Sequence, residues 1–339
     1  MTLGAALVAS FLVTLARPAT WALALAAFLV RGGIVLVLAP IVVIPSAVGV
    51  ANAFGPVLTT LVLSGVTGAT IVLLGAAAGA WLAWLLVGGL VAATVEVELV
   101  RIVATDEDVV AGVVHPDLVS TKPGRLWRVL AVRLIALIPL ALALLWGVTR
   151  IVATAYRELT VPSDTVTPVL FRVLRENPGA VAVILLAWLL GQVVSALAVR
   201  WVVNGGDGVG AALAHALVRF GRQPFRMLVV EVVPLLALLA VVIPSAAASA
   251  ASWDAIRVAI ADERGPFLTI GVVGLFVGLW IGGLILIGAI SAWRAAAWTV
   301  AVAGTFGAIE TGREGDWNLA TEPATLTDLR SRGVDPDTR

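Results

Sequence analysis

Three ionisable residues lie inside long apolar segments of the chain, and they are the first candidates for chemistry. They are Arg31, Arg133 and Glu231. A charged side chain in hydrocarbon costs about 2.5–3.5 kcal/mol even on lenient insertion scales, so such residues commonly mark a polar site. Arg31 stands 13 residues after Pro18, which is about 20 Å along a helix and therefore near the centre of a bilayer.

Two interpretations of these charges remain open from the sequence. In the first, Glu231 pairs with Arg31 or Arg133 inside a helical bundle, lining a polar site or holding parts of the bundle together. In the second, Arg133 and Glu231 lie shallow and extend to the headgroups, while Arg31 marks a helix break at Arg31-Gly32-Gly33. The first predicts a site, and the second predicts none.

Further charges stand near the ends of apolar segments, where a solvated helix extension is the simplest interpretation. Glu96, Glu98 and Arg101 follow one such segment, and Glu98 and Arg101 have the i,i+3 spacing of a surface ion pair. Arg200 and Arg294 occupy similar positions.

Catalytic and metal-binding patterns are missing from the sequence. The chain has no cysteine, and its two histidines, His115 and His215, fall on different polar segments without a zinc-binding motif. We therefore predict no catalytic residue, no metal site, no cofactor and no enzymatic activity.

The composition is that of an integral membrane protein. Hydrophobic residues make up 60% of the 339 residues and charged residues 13%, against about 25% charged in soluble domains. Several apolar runs exceed the roughly 18 residues that indicate a membrane helix. The lipid bilayer is the predicted partner, and the net charge of +1 gives no indication of nucleic-acid binding.

A repeat organises these apolar runs. The sequence Val-Val-Ile-Pro-Ser-Ala occurs at 42–47 and again at 241–246, and the same shift of 199 residues places Gly89 on Gly288. Pro18, Pro123 and Pro224 each precede a long apolar run.

The predicted fold is therefore all-α: a polytopic membrane bundle of about six transmembrane helices in three hairpin units, with interfacial helices near 3–15 and 210–220. The units are residues 1–103, 104–205 and 206–309, followed by a disordered cytoplasmic tail at 310–339. An alternative with seven spans places an additional helix at 56–74.

The distribution of basic residues predicts the orientation. With six spans, fifteen of the 22 Lys and Arg residues fall on one face, and the positive-inside rule makes that face cytoplasmic, with both termini inside. Only one of the 22 is lysine, which indicates GC-rich coding and hence a bacterial cell membrane.

One pattern recurs along the chain, notably at 7–25 and 211–228. It consists of a surface helix, then a basic residue with proline, and then a long span. This pattern resembles uncharacterised six-span prokaryotic membrane proteins that are similar to the membrane domain of some glycerophosphodiester phosphodiesterases. The resemblance implies no activity, since no phosphodiesterase domain follows. The predicted function is a non-enzymatic scaffold or accessory protein that contacts other membrane proteins. The alternative is a small transporter or channel of unknown ligand, with a polar site near Arg31 and Glu231.

Overall fold

The computed structural model describes residues 3–38, 67–104, 123–161, 163, 167, 169–262 and 265–310. In chain order the helices are α1 (Leu3–Ala16), α2 (Ala19–Phe28), α3 (Ile34–Leu38), α4 (Gly68–Ala104), α5 (Pro123–Thr160), α6 (Val169–Glu176), α7 (Pro178–Asn204), α8 (Val209–Arg222), α9 (Pro224–Ala261) and α10 (Pro266–Glu310). A π-helical turn, Leu29–Gly33, joins α2 to α3.

The all-α membrane bundle predicted from the sequence is confirmed. Among the described residues, six helical segments are long and apolar enough to cross a bilayer: Ala19–Leu38, Ile71–Val103, Gly124–Glu158, Pro178–Asn204, Pro224–Ala261 and Pro266–Val302. Helices suit this composition because a helix satisfies its own backbone hydrogen bonds where no water is present. Most of the alternative span predicted at 56–74 lies outside the described residues.

Two helices extend beyond the apolar runs that they contain. The apolar run of α9 ends at residue 243 in the sequence, but the helix continues through Pro244 to Ala261. Similarly, the apolar run of α5 ends at residue 148, and the helix continues from Pro139 to Thr160. A proline removes one backbone hydrogen bond and often bends a helix, and the residues that follow these prolines remain helical.

Consecutive long helices pack against each other, and α10 joins the two ends of the chain. The most extensive contacts are between α9 and α10 and between α5 and α7, and α10 also packs against α1, α2 and α4. Gly288 on α10 permits its crossing with α2, because an added Cβ would lie 2.7 Å from the Trp21 carbonyl oxygen. The short helices α1 and α8 pack against α10 and α7 respectively.

The best-buried apolar core lies toward one end of the bundle. Val97, Val129, Leu197, Met227 and Trp298 are almost completely buried. They come from α4, α5, α7, α9 and α10, so this core fixes the relative positions of five helices. The charged residues described next lie within one or two turns of these core residues along each helix.

Candidate functional site

Glu96 is the centre of an ionic cluster that joins four segments of the chain. Arg31 Nη2 donates to Glu96 Oε2 at 2.8 Å, and Arg133 Nε donates to the same oxygen at 2.8 Å. Arg200 Nη1 donates to the other oxygen, Oε1, at 3.1 Å. We call these four residues the Glu96 cluster. One carboxylate thus receives three guanidinium groups, from the π-helical turn, α5 and α7.

The backbone at Arg31 departs from a regular α-helix. Gly32 adopts a φ of 103° within the turn, a conformation that residues with a Cβ rarely tolerate. The helix break predicted at Arg31-Gly32-Gly33 is therefore present.

Arg200 is held more rigidly than the other two arginines of the cluster. Its side chain is 2% exposed, and Nη2 donates to the carbonyl oxygen of Ala295 on α10 at 3.0 Å. Its Nε is buried without a hydrogen-bond partner among the described residues. Arg200 therefore links α7, α4 and α10 and still has one unused donor.

Glu231 forms a second ionic contact in the same region. Its carboxylate accepts from Arg294 Nη2 and, at 2.8 Å, from Trp298 Nε1. Arg294 and Trp298 stand four residues apart on α10, so they share one face of that helix. Arg294 also donates to Gln192 Oε1 on α7 at 3.2 Å. We call Glu231 and Arg294 the Glu231 pair.

Both groups line one central cavity of about 440 Å³. The charged residues of its lining are those of the Glu96 cluster and the Glu231 pair: Arg31, Glu96, Arg133, Arg200, Glu231 and Arg294. Four arginines face two glutamates, so the described lining carries a formal charge of +2. The cavity is lined by α2, the π-helical turn, α3, α4, α5, α7, α9 and α10.

The structure brings all three predicted site residues to this cavity, but it changes their partners. Glu231 was predicted to pair with Arg31 or Arg133, whereas its ion pair is with Arg294. Arg31 and Arg133 instead share Glu96. The alternative in which Glu231 extends to the headgroups is also wrong, because its side chain is completely buried.

The interpretation of Glu96, Arg200 and Arg294 as parts of solvated helix ends is likewise wrong. Glu96 is 5% exposed, since α4 continues to Ala104 inside the packed end of the bundle. Glu98 and Arg101 do form the predicted exposed i,i+3 pair. The sequence spacing could have indicated that Glu96 is buried while Glu98 is exposed. Residues two apart on a helix point to nearly opposite faces, so Glu96 and Glu98 cannot both face solvent on a packed helix.

The arrangement is suited to holding an anion and offers little for other chemistry. Guanidinium groups bind phosphate and carboxylate groups through paired, charge-assisted hydrogen bonds. Within the described part of the chain, no group of three or more His, Asp and Glu residues is placed to hold a metal ion. Comparison of the chain with protein-family models, with curated proteins and with solved structures gives no match, so the resemblance based on the helix pattern stays a prediction.

Proposed function

We propose that this multi-pass membrane protein is a non-enzymatic anion carrier that binds its anion in the central cavity. The observation that carries the proposal is the excess of two positive charges in a cavity lined by Arg31, Arg133, Arg200 and Arg294. Unpaired charge is expensive at membrane depth, and intramembrane charges usually mark a ligand or ion pathway. An anion would neutralise the excess and use guanidinium donors that the two glutamates leave free.

The geometry leaves part of the cationic lining available to such an anion. The Arg31 side chain is 38% exposed, and the side chains of Arg133 and Arg294 are also partly exposed. Arg200 already donates to Glu96 and to the carbonyl oxygens of Ala196 and Ala295, and its Nε is buried without a partner among the described residues. We therefore assign direct contact with the anion to Arg31, Arg133 and Arg294, and we assign a positioning role to Arg200.

A scaffold role is the second candidate, and one observation favours it. The Glu96 cluster and the Glu231 pair join the π-helical turn, α4, α5, α7, α9 and α10 through ionic contacts. Without water or a ligand, this network would only hold the helices together. The protein would then organise other membrane components without binding a small ligand. The two candidates differ in whether water and anions reach the cavity.

Cysteine accessibility separates these candidates, because the chain contains no cysteine. We would introduce Leu235→Cys or Ser291→Cys in the cavity lining, and Leu236→Cys, which is exposed on the outside of the same helix α9, as the matched control. Each variant would be treated with a membrane-impermeant, charged thiol reagent in intact cells and in purified form.

For a carrier, we expect Cys at 235 and 291 to react, inorganic phosphate or another small anion to slow that reaction, and Cys at 236 to stay unmodified in the bilayer. If neither cavity cysteine reacts with the reagent, in cells or in the purified protein, water does not reach the ionic network. That result would favour the scaffold.

We further propose that the protein lies in a bacterial cell membrane with both termini in the cytoplasm. Arg219, Arg222 and Arg226 lie close together on α8 and at the start of α9, where burial and then the two neighbouring arginines lower the pKa of Arg219. Such a group of like charges is favourable beside the anionic headgroups of a cytoplasmic leaflet.

A further inference from the structure

A second, apolar cavity of about 200 Å³ adjoins the central cavity. Both cavities are lined by Arg31, Arg133, Trp188 and Gln192. We call the second one the side cavity. It lies between the π-helical turn, α4, α5 and α7, so the two arginines stand at the junction of a polar and an apolar space.

The remaining lining of the side cavity is nearly all hydrocarbon. Leu134, Leu137 and Leu140 follow one another along a face of α5, opposite Trp84 on α4. The described lining contains no acidic residue, and its only charges are Arg31 and Arg133. A ligand that occupies both cavities must therefore be an amphiphile with its anionic group at the two arginines.

A buried hydroxyl group supplies an independent indication of a ligand in the side cavity. Ser195 on α7 lines the side cavity, is 6% exposed, and has no hydrogen-bond partner for Oγ among the described residues. Buried polar groups without partners are rare in folded proteins and call for an explanation such as a bound molecule. A headgroup oxygen held by Arg133 would give Ser195 an acceptor.

We infer that the occupant is a membrane lipid with a phosphate monoester headgroup, its phosphate at Arg31 and Arg133 and its hydrocarbon chain in the side cavity. The inference rests on the proposed anion site and specifies its ligand. A phosphate monoester carries a charge of about −1.5 to −2 at pH 7, which matches the excess of two positive charges in the central cavity. A phosphodiester lipid carries one negative charge, so it would neutralise only half of that positive excess.

The position of the side cavity suits entry from the bilayer. Trp84 and Leu137 are both lining residues and partly exposed on the outer surface of the bundle, where the surrounding medium is hydrocarbon. The chain of a lipid can therefore stay in an apolar environment while its headgroup reaches the arginines. Basic pockets between membrane helices commonly hold lipid headgroups in this way.

The test measures ligand binding to the purified full-length protein in neutral detergent. The probes are phosphatidic acid, phosphatidylglycerol with the same acyl chains, and inorganic phosphate. Binding is followed by native mass spectrometry and by the shift in thermal unfolding temperature. We expect phosphatidic acid to bind at least tenfold more tightly than phosphatidylglycerol.

Two variants locate that binding without removing a member of the ionic network. Ser195→Ala removes only the unpartnered hydroxyl, and we expect it to weaken phosphatidic acid binding by about tenfold. Leu137→Trp reduces the space for the chain, and we expect it to weaken lipid binding while leaving the binding of inorganic phosphate unchanged. Ser252→Ala is the control, because that hydroxyl donates to the Ala248 carbonyl oxygen at 2.8 Å and lines neither cavity.

The results separate this inference from the proposed function. If inorganic phosphate binds and slows modification of Cys at 291, but phosphatidic acid binds no better than phosphatidylglycerol, the anion site stands and the lipid ligand is wrong. If phosphatidic acid binds equally to the Ser195→Ala and Leu137→Trp proteins, the side cavity is not its site. If no probe binds, both the inference and the proposed anion site fail.

Discussion

Glu96 and Glu98 stand two residues apart on α4, yet they have opposite environments. Glu96 is buried among Arg31, Arg133 and Arg200, whereas Glu98 lies on the helix surface beside Arg101. The two residues have the same chemistry and nearly the same sequence context. Their difference arises from the helix face on which each lies, and it makes them a matched pair for experiment.

Glu96→Gln should lower the free energy of unfolding by about 3–5 kcal/mol, because breaking a buried ion pair leaves its partner charge uncompensated. In this protein three guanidinium groups would lose their shared carboxylate. Glu98→Gln should change the free energy by about 1 kcal/mol or less, as expected for an exposed pair. Unfolding in a mixed-detergent titration would measure both, and equal losses would show that the cluster does not stabilise the bundle.

A milder substitution tests the second carboxylate. Trp298→Phe keeps most of the buried aromatic volume but removes the Nε1 donor that binds Glu231 at 2.8 Å. Losing a hydrogen bond to a buried charged group should lower the free energy of unfolding by about 1.5–3 kcal/mol. Trp127 is exposed, so the free energy of unfolding of the Trp127→Phe protein should be within about 0.5 kcal/mol of the native value. A Trp298→Phe protein as stable as the native protein would contradict the role assigned to this hydrogen bond.

At the scale of the elements, the crossing of α2 and α10 depends on a single glycine. An added Cβ at Gly288 would lie 2.7 Å from the Trp21 carbonyl oxygen and 3.2 Å from Leu25 Cβ, whereas one at Gly282 on the same helix would meet nothing within 4 Å. Close backbone approach through small residues is a usual way for membrane helices to pack. The two glycines thus have different roles despite similar sequence surroundings.

Gly288→Ala should lower the free energy of unfolding by about 1–3 kcal/mol, since the helices must separate to admit the methyl group. Gly282→Ala should be neutral or stabilising by up to about 1 kcal/mol, because alanine is the better helix former. Thermal unfolding of the two variants under identical conditions would measure the difference. Equal stability would mean that α2 and α10 do not approach as closely as the structure shows.

For the whole molecule, the orientation is a prediction of the basic-residue count. Fifteen of the 22 Lys and Arg residues are counted toward the cytoplasmic face from the sequence, and twelve remain when the cavity residues Arg133, Arg200 and Arg294 are left out, against six on the other face. A fluorescent protein fused after Arg339 should therefore fluoresce, and alkaline phosphatase fused there should be inactive. A phosphatase fusion between α5 and α6, at residue 165, should be active as the control. An active phosphatase at the C-terminus would indicate the opposite orientation or an additional span.

The division of the chain into three hairpin units stays a prediction. Two positions related by the sequence repeat can nevertheless be compared in the structure. Gly89 and Gly288 correspond through the shift of 199 residues. Gly89 on α4 faces Leu130 on α5, and Gly288 on α10 faces Trp21 on α2. Each therefore lies against the first span of another predicted unit. The first copy of the repeated hexapeptide lies outside the described residues.

The sequence by itself determined the membrane class, the helical fold and the approximate positions of the spans, because these depend on the length and polarity of local segments. It also identified Arg31, Arg133 and Glu231, since charge within an apolar run is visible without any structure. Only the tertiary structure decided their partners.

Glu96 and Arg294 stand 65 and 63 residues from Arg31 and Glu231 respectively, and they look like parts of solvated helix ends in the sequence. Whether such a residue faces solvent or a cavity depends on how far the helix extends and which face its neighbours cover. That is set by packing between distant segments, so the net positive cavity emerges only when the π-helical turn, α4, α5, α7, α9 and α10 are brought together.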